Sequence, residues 1–227
     1  MLSYPNFAFD VEHRDSKTRA RVGKLTTPHG TIETPNYIFC GTKGAIKNLS
    51  PSQMREAKTD IILGNTYHLM IQPGAELVHK MGGLHKFNRW DGPMMTDSGG
   101  FQIFSMGHGS VADEIKGRNK GNRGTSLLKI TEEGAKFKSY WNGEDLLLTP
   151  ESSIDIQRKL GADMIYQFDE CTAYHVERDY TAKSMERSHR WGDRSLAEFE
   201  RGHSGAQALY GIVQGGVYED LRAISCA

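Results

Sequence analysis

Three short apolar runs in this sequence each end in polar residues that could do chemistry. Met94–Thr96 is followed by Asp97-Ser98-Gly99-Gly100, Met164–Phe168 by Asp169-Glu170-Cys171, and Leu209–Val213 by Gln214-Gly215-Gly216. Parallel α/β proteins build their sites at the carboxyl ends of strands. The sequence therefore predicts that Asp97, Asp169 and Gln214 face one common site.

This set of side chains suits the edge of a purine base. Guanine presents N1–H and an exocyclic amine as adjacent donors, which one carboxylate accepts together, while an amide donates to O6 and a ring stacks on the face. Asp169, Gln214 and Phe101 supply these three parts. Asp97 lies beside two glycines that let the backbone approach a ligand, so it is the candidate for moving a proton. A lone Asp97 is more often a turn former or a helix cap, and Asp169 could likewise cap the following helix; only the coincidence of the three strand ends favours a site.

A strand-then-helix rhythm predicts the elements that position these residues. Strands are predicted at 37–39, 60–63, 94–96, 163–168 and 209–213, and hairpins at 21–34 and at 137–148 around Asn142-Gly143. Helices are predicted to begin at Pro51 and Pro150 and to span 180–201, the last with Met185, Trp191, Leu196 and Phe199 as its buried stripe. Five βα units indicate an α/β fold, either an open doubly wound sheet or part of a (β/α)₈ barrel, which typically needs about 250 residues.

Composition excludes several classes of protein. The 28 basic and 28 acidic residues give no net field, which argues neither for nor against a nucleic-acid partner. The sequence contains no apolar run of about 18 residues, and this excludes a membrane-spanning helix. Cys40, Cys171 and Cys226 lie far apart, which predicts a reduced, cytoplasmic protein without a cysteine-based metal site. The nine histidines show no ligand spacing either. The polar segment 108–126 predicts a functional or mobile loop.

Six motifs in one order resemble the tRNA-guanine transglycosylase family, also called queuine tRNA-ribosyltransferase. They are Thr27-Pro28-His29-Gly30-Thr31-Ile32-Glu33-Thr34-Pro35, Gly41-Thr42-Lys43-Gly44, Gly64-Asn65-Thr66-Tyr67-His68-Leu69, Asp97-Ser98-Gly99-Gly100-Phe101-Gln102, Phe168-Asp169-Glu170-Cys171-Thr172 and Gly211-Ile212-Val213-Gln214-Gly215-Gly216. The resemblance extends along nearly all 227 residues.

The resemblance implies a TIM-type (β/α)₈ barrel, here incomplete, with about five βα units plus an N-terminal hairpin in one partial domain over 1–227. It implies a cytoplasmic pentosyltransferase of queuosine biosynthesis that replaces guanine at the wobble position of G-U-N anticodons through a covalent ribosyl-Asp ester. Cys171 agrees with bacterial members, which favours 7-aminomethyl-7-deazaguanine over queuine as the incoming base. The implied partners are the tRNA anticodon loop, the two bases and a second copy in a homodimer, with no membrane.

By position, Asp97 resembles the family's catalytic proton acceptor. The substrate-binding residues implied by the resemblance are Asp97, Ser98, Gly99, Gly100, Phe101, Gln102, Asp169, Cys171 and Gln214. The base must leave the stack before its edge can be bound, so we expect the anticodon loop to open.

The resemblance also implies residues that follow the Gln214-Gly215-Gly216 motif beyond Ala227. These are the nucleophilic Asp, a basic tRNA-binding segment and a zinc site of three Cys and one His. We therefore expect zinc in the full-length family but no zinc ligand in this chain. We expect the 227 residues alone to be inactive in base exchange and poorly stable, with an unpaired edge strand. Two alternatives stay open: a non-catalytic tRNA-binding or partner subunit, and an unrelated TIM-barrel glycosidase that uses Asp97 and Asp169 as acid and nucleophile.

Overall fold

A computed structural model of the chain describes residues 4–103, 129–174 and 176–227. The segment 108–126, predicted to be a loop, lies outside the described residues. At the N-terminus, β1 (Ala8–Arg14), β2 (Arg21–Thr27) and β3 (Gly30–Thr34) form an antiparallel sheet in that order. The predicted hairpin is confirmed as β2 and β3, with Leu25 opposite Ile32. Strand β1 was not predicted, although Phe9 and Val11 alternate with Asp10 and Glu12 as in a strand, and its side chains are mostly exposed.

The remaining elements alternate along the chain. They are β4 (Phe39–Cys40), α1 (Pro51–Glu56), β5 (Ile62–Gly64), α2 (Thr66–Ile71), α3 (Ala75–Lys80), α4 (Gly83–Asn88), β6 (Met94–Thr96), β7 (Lys129–Ile130), β8 (Ala135–Lys138), β9 (Asp145–Leu148), α5 (Pro150–Leu160), β10 (Met164–Tyr166), α6 (Arg178–Arg201), β11 (Ala208–Tyr210) and α7 (Glu219–Cys226). Strands β7, β8 and β9 form a small antiparallel sheet, which confirms the predicted hairpin around Gly143.

Five parallel strands form the central sheet, in the order β11-β10-β6-β5-β4. All five predicted parallel strands are present, β6 with the predicted bounds and the other four with shifted ends, so the α/β class is confirmed. The sheet follows chain order without a reversal, and it therefore lacks the switch point of a doubly wound sheet. Within the described ranges these strands form an open sheet with β4 and β11 at its edges, so the expected barrel is not closed here.

Local sequence signals explain where the helices begin and end. Helix α5 begins after Thr149, whose hydroxyl accepts from the Ser152 N–H, and Pro150 takes the first position, where no backbone donor is needed. It ends at Gly161, which adopts a left-handed φ of 74°. The helix buries Ile154 and Leu160, and Leu160 packs in the core beside the sheet with Leu84 and Met94.

Helix α6 packs through small polar residues as well as large apolar ones. Its buried residues are Thr181, Ser184, Met185, Ser188, Trp191, Ser195 and Phe199. The prediction that Leu196 is buried was wrong, since this side chain is 41% exposed. Serine lets the helix approach the strand ends closely, and the Ser195 and Ser188 hydroxyls accept from the Phe168 and Glu170 N–H groups at 3.2 and 3.0 Å. A pattern of apolar residues alone cannot show this contact.

No helix among the described residues combines the length and the apolarity needed to cross a bilayer.

A histidine–aspartate cluster (His29, His85 and Asp163) joins the N-terminal sheet to the central sheet. Asp163 directly precedes β10, and its carboxylate is fully buried. The Oδ1 atom lies 2.6 Å from His29 Nδ1, and Oδ2 accepts from the Met94 N–H at 2.8 Å. Burial alone would raise the pKa of Asp163, but the His85 Nε2 atom 3.4 Å from Oδ2 and the hydrogen bonds from His29 and Met94 outweigh it and hold this pKa below its usual value.

We expect Asp163→Asn to lower the free energy of unfolding by about 3 kcal/mol, because the asparagine removes the negative charge beside two histidines and keeps only one of the two acceptor oxygens that His29 and the Met94 N–H use. The lowered pKa means that the carboxylate stabilises the fold above its unfolded pKa of about 4 and loses this effect as the pH falls further. Denaturant melts at pH 7 and pH 3 should show the difference from the unsubstituted chain shrinking in acid. The control is Asp145→Asn at an exposed ion pair, which should change the free energy of unfolding little, because solvent screens such pairs. Equal effects of the two variants would contradict the structural role of Asp163.

Candidate active site

Asp169 connects three strand ends. It follows β10 and is buried, with 8% of its surface exposed. Its Oδ1 accepts from the Ser98 hydroxyl at 2.8 Å, and its Oδ2 accepts from the Gln214 amide nitrogen at 3.0 Å. Ser98 follows β6 and Gln214 follows β11, so this carboxylate brings the predicted pair Asp169 and Gln214 into direct contact, whereas Asp97 forms its hydrogen bonds with other residues.

The Asp97 carboxylate is bound by the loop after β5. Its Oδ1 accepts from the Thr66 N–H at 2.8 Å, and its Oδ2 accepts from Asn65 at 2.5 Å and from Gln102 at 2.7 Å. The Thr66 hydroxyl also donates to the Asp97 carbonyl at 2.5 Å. On the other side, the Cys40 thiol donates to the Asn65 side-chain oxygen at 3.2 Å. In this arrangement Asp97 is fixed by four donors and points toward α2.

Sequence reasoning missed Asn65, Thr66 and Cys40 as parts of this site. The signal was present, because Gly64-Asn65-Thr66 is a polar ending of a predicted strand in the same way as the three endings that were assigned. What the sequence could not show is that the amide and hydroxyl of this ending lie against Asp97 of the neighbouring strand.

Two glycines make the approach of these strand ends possible. A Cβ atom on Gly100 would lie 2.4 Å from the Asp169 carbonyl oxygen, so no larger residue fits unless the backbone shifts. Gly99 has a φ of +88°, in the left-handed region that side chains other than glycine rarely adopt. The double glycine is therefore required by the contact between the β6 and β10 ends.

The other predicted site residues lie around this contact. Phe101 is 47% exposed at the start of a helical turn, and Cys171 is partly buried. The cavity between Gly100, Phe168, Asp169 and Cys171 holds only about 10 Å³, roughly the space of one water molecule. A purine does not fit inside this cavity, and the half-exposed Phe101 ring lies one residue after Gly100, which lines it.

Helix α6 fixes the residue next to Asp169. The Glu170 carboxylate is 2% exposed, forms an ion pair with Arg187 and accepts from the Tyr180 hydroxyl at 2.6 Å. The Glu170 carbonyl accepts from Ser184 at 3.2 Å. Glu170 therefore faces the helix and holds the backbone that presents Asp169.

Burial sets the proton affinity of both site carboxyls. Burial raises the pKa of Asp169, and the bonds from Ser98 and Gln214 offset this only in part, while the charge of Asp97 raises it further. Burial likewise raises the pKa of Asp97 against the bonds from Asn65, Thr66 and Gln102. Two acidic groups with raised pKa values at one sheet edge are typical of a site that binds or moves protons.

One cluster of side chains in the described residues has the composition of a metal site. The three cysteines lie on separate elements, and His29, His85 and Asp163 are the one His, Cys or acidic cluster in the described ranges whose ligand atoms lie within 4.8 Å of one another. The two imidazole rings are stacked, with centroids 3.6 Å apart and planes 16° apart. No single point lies near both ring planes at bonding distance, so this arrangement is a hydrogen-bonded cluster and does not fit a zinc ion.

Comparison with known proteins decides the family. The sequence model of the family described as "Queuine tRNA-ribosyltransferase" matches residues 15–227. The chain belongs to the queuine tRNA-ribosyltransferase family. A queuine tRNA-ribosyltransferase from Protochlamydia amoebophila (strain UWE25) is 50% identical over 221 residues, 97% of this chain and 57% of that protein.

Two further relatives agree. A queuine tRNA-ribosyltransferase from Roseiflexus sp. (strain RS-1) is 50% identical over 228 residues, 96% of this chain and 57% of that protein. One from Staphylococcus aureus (strain JH9) is 48% identical over 203 residues, 89% of this chain and 48% of that protein. The chain thus spans about half the length of these queuine tRNA-ribosyltransferases, and the resemblance stated from its motifs is confirmed.

Asp169→Asn should leave the chain at least as stable as the unsubstituted protein at pH 7. Because the folded-state pKa of Asp169 is raised, folding favours the protonated carboxyl, and the ionised form costs stability above the unfolded pKa of about 4. An asparagine removes this cost and still accepts from Gln214. Denaturant melts check this expectation. Asp163→Asn serves as the comparison, because the pKa of that buried aspartate is shifted in the opposite direction. A large loss of stability in Asp169→Asn at pH 7 would contradict it.

Proposed function

We propose that the protein to which these residues belong exchanges guanine at the wobble position of G-U-N anticodon tRNAs for 7-aminomethyl-7-deazaguanine. The observation that carries this proposal is the buried Asp169 carboxylate, bonded to Ser98 and Gln214 beside the half-exposed Phe101 ring. The choice of incoming base is supported by Cys171, as in the bacterial motif. The proposal places this site in a cytoplasmic pentosyltransferase of queuosine biosynthesis.

In this proposal Asp169 and Gln214 bind the edge of the base. The ionised Asp169 accepts from N1–H and the exocyclic amine of guanine. The Gln214 amide nitrogen donates one hydrogen to Asp169 and has a second hydrogen for O6. Phe101 stacks on the base, and Ser98, Gly99, Gly100, Gln102 and Cys171 line its surroundings.

Asp97 is the proposed proton acceptor. Its raised pKa brings the carboxyl closer to neutral pH, which suits a group that takes a proton from one base and returns it to another. To do so it must turn from Asn65 and Gln102 toward the base, and the two amides that bind it now would stabilise it between turnovers.

The proposed exchange runs through two displacements at the ribose anomeric carbon. A carboxylate attacks C1′ and guanine leaves with its bonding electron pair; the incoming base then attacks C1′ and releases the carboxylate, with retention of configuration overall. We infer that this carboxylate lies outside these 227 residues, since the proposal assigns Asp97 to proton transfer and Asp169 to binding the base.

The wider assembly belongs to the same proposal. The uninterrupted order of the five parallel strands supports one partial domain over 1–227 of a TIM-type barrel. We propose that the remaining strands, the zinc ligands and the second copy of a homodimer are supplied by residues other than those of this chain. The anticodon loop opens to present its base.

The purified chain should bind free guanine but should not exchange radiolabelled guanine into tRNA. In calorimetric titrations, Asp169→Asn should weaken guanine binding about 10- to 100-fold, because it removes hydrogen bonds to a charged acceptor worth about 1.5–3 kcal/mol. The control is Asp193→Asn, an exposed position on α6, which should leave binding unchanged.

Each result has a distinct meaning. Turnover by the 227 residues would overturn the inference about the nucleophile. Absence of guanine binding would overturn the purine site. Binding of tRNA without binding of guanine would favour the non-catalytic subunit, although a subunit without chemistry has no need of both Asp97 and Asp169.

A further inference from the structure

The turn between β8 and β9 exposes two large aromatic side chains. Tyr140 and Trp141 are 44% and 61% exposed. The turn itself is well bonded, with the Ser139 N–H donating to the Glu144 carbonyl at 2.8 Å and the Gly143 N–H donating to the Ser139 carbonyl at 2.9 Å. Tyr140 contacts the buried Tyr67 ring on one side, with centroids 6.0 Å apart, and the exposed parts of Tyr140 and Trp141 form an apolar patch of the kind that binds partners.

Tyr140 meets side chains from two other elements. The Lys43 ammonium group lies 5.9 Å from the centroid of the Tyr140 ring. The His68 ring centroid lies 5.7 Å from it, with Nδ1 3.4 Å from the Tyr140 hydroxyl. Lys43 follows β4 and His68 belongs to α2, so three separate parts of the chain meet at this ring. We call Lys43, His68 and Tyr140 the aromatic shelf.

The aromatic shelf lies beside the candidate active site. Burial and the Lys43 charge lower the pKa of His68 while the Asp97 charge raises it, so His68 is within electrostatic reach of both groups. Tyr67, the residue before His68, has its backbone nitrogen 3.6 Å from where a Cβ of Gly99 would lie. The shelf is thus adjacent to the Asp97 loop, on the side of α2.

A half-exposed ring with a cation and an imidazole beside it has the chemistry that binds an unpaired nucleotide. Bases stack on aromatic side chains with little dependence on sequence, and lysine binds the neighbouring phosphates. When one base of the anticodon loop lies in the active site, the nucleotides on either side of it are unpaired and lie close to that site.

We propose that the aromatic shelf stacks an unpaired nucleotide of the tRNA anticodon loop next to the exchanged base. Tyr140 supplies the stacking surface, Lys43 binds a phosphate, and His68 orients the Tyr140 hydroxyl. This inference rests on the proposed function and adds the surface that holds the loop while the base is bound.

The test compares RNA binding with guanine binding in the same variants. A fluorescent anticodon stem-loop RNA is titrated by anisotropy, and free guanine is titrated by calorimetry. Tyr140→Ala should weaken RNA binding about 5- to 150-fold, as expected for one stacked base. Tyr140→Phe keeps the ring and should stay within about twofold. Guanine binding should be unchanged in both variants.

A second variant tests the phosphate contact. Lys43→Ala should weaken RNA binding and reduce the salt dependence of log K by about 0.7, the value for one phosphate on a single strand. The matched control for Tyr140→Ala is Phe9→Ala. Phe9 is a 47% exposed ring on β1 with the Arg21 guanidinium 5.9 Å from its centroid, so it offers the same chemistry away from the site. It should leave RNA binding unchanged.

The outcomes separate this inference from the proposed function. Unchanged RNA binding in Tyr140→Ala, or an equal loss in Phe9→Ala, overturns the shelf. An equal loss of guanine and RNA binding in Tyr140→Ala also overturns it, since the ring would then support the pocket. RNA binding without guanine binding in the unsubstituted chain overturns the base-exchange proposal and leaves the shelf standing if Tyr140→Ala still weakens RNA binding.

Discussion

The buried carboxylate of Asp169 is the contact on which the site depends. It accepts from Ser98 after β6 and from Gln214 after β11, so one residue determines the spacing of three strand ends. Burying such a group is costly unless donors satisfy it. Ser98 and Gln214 meet this requirement in part, while Gly100 leaves room for the Asp169 carbonyl and helix α6 holds the following residue, Glu170.

Two buried aspartates at opposite ends of β10 show how placement sets the role of one residue type. Asp163 precedes the strand, meets two histidines and a backbone N–H, and has a lowered pKa, so its charge stabilises the fold. Asp169 follows the strand, meets neutral donors and the field of Asp97, and has a raised pKa. The charge of Asp163, before β10, therefore stabilises the fold. The charge of Asp169, after β10, is unfavourable, and a ligand with hydrogen-bond donors can stabilise it.

Much of this arrangement could be predicted from the sequence, because short apolar strands with polar endings are a local signal. The five parallel strands, both hairpins and the grouping of Asp169 with Gln214 follow from it. The serine contacts of α6 and the donors around Asp97 could not be predicted, since they join residues far apart in the chain through polar atoms. His29 and His85 show the same limit: 56 positions separate them, and their rings stack on each other.

In the proposed function Asp169 binds the two adjacent donors of guanine. Calorimetric titration can compare guanine with hypoxanthine, which lacks the exocyclic amine, on both the unsubstituted chain and Asp169→Asn. We expect hypoxanthine to bind at least about tenfold more weakly, the value of one hydrogen bond to a charged acceptor, and we expect Asp169→Asn to abolish this preference. Equal binding of the two bases, or a preference that survives in Asp169→Asn, would contradict it.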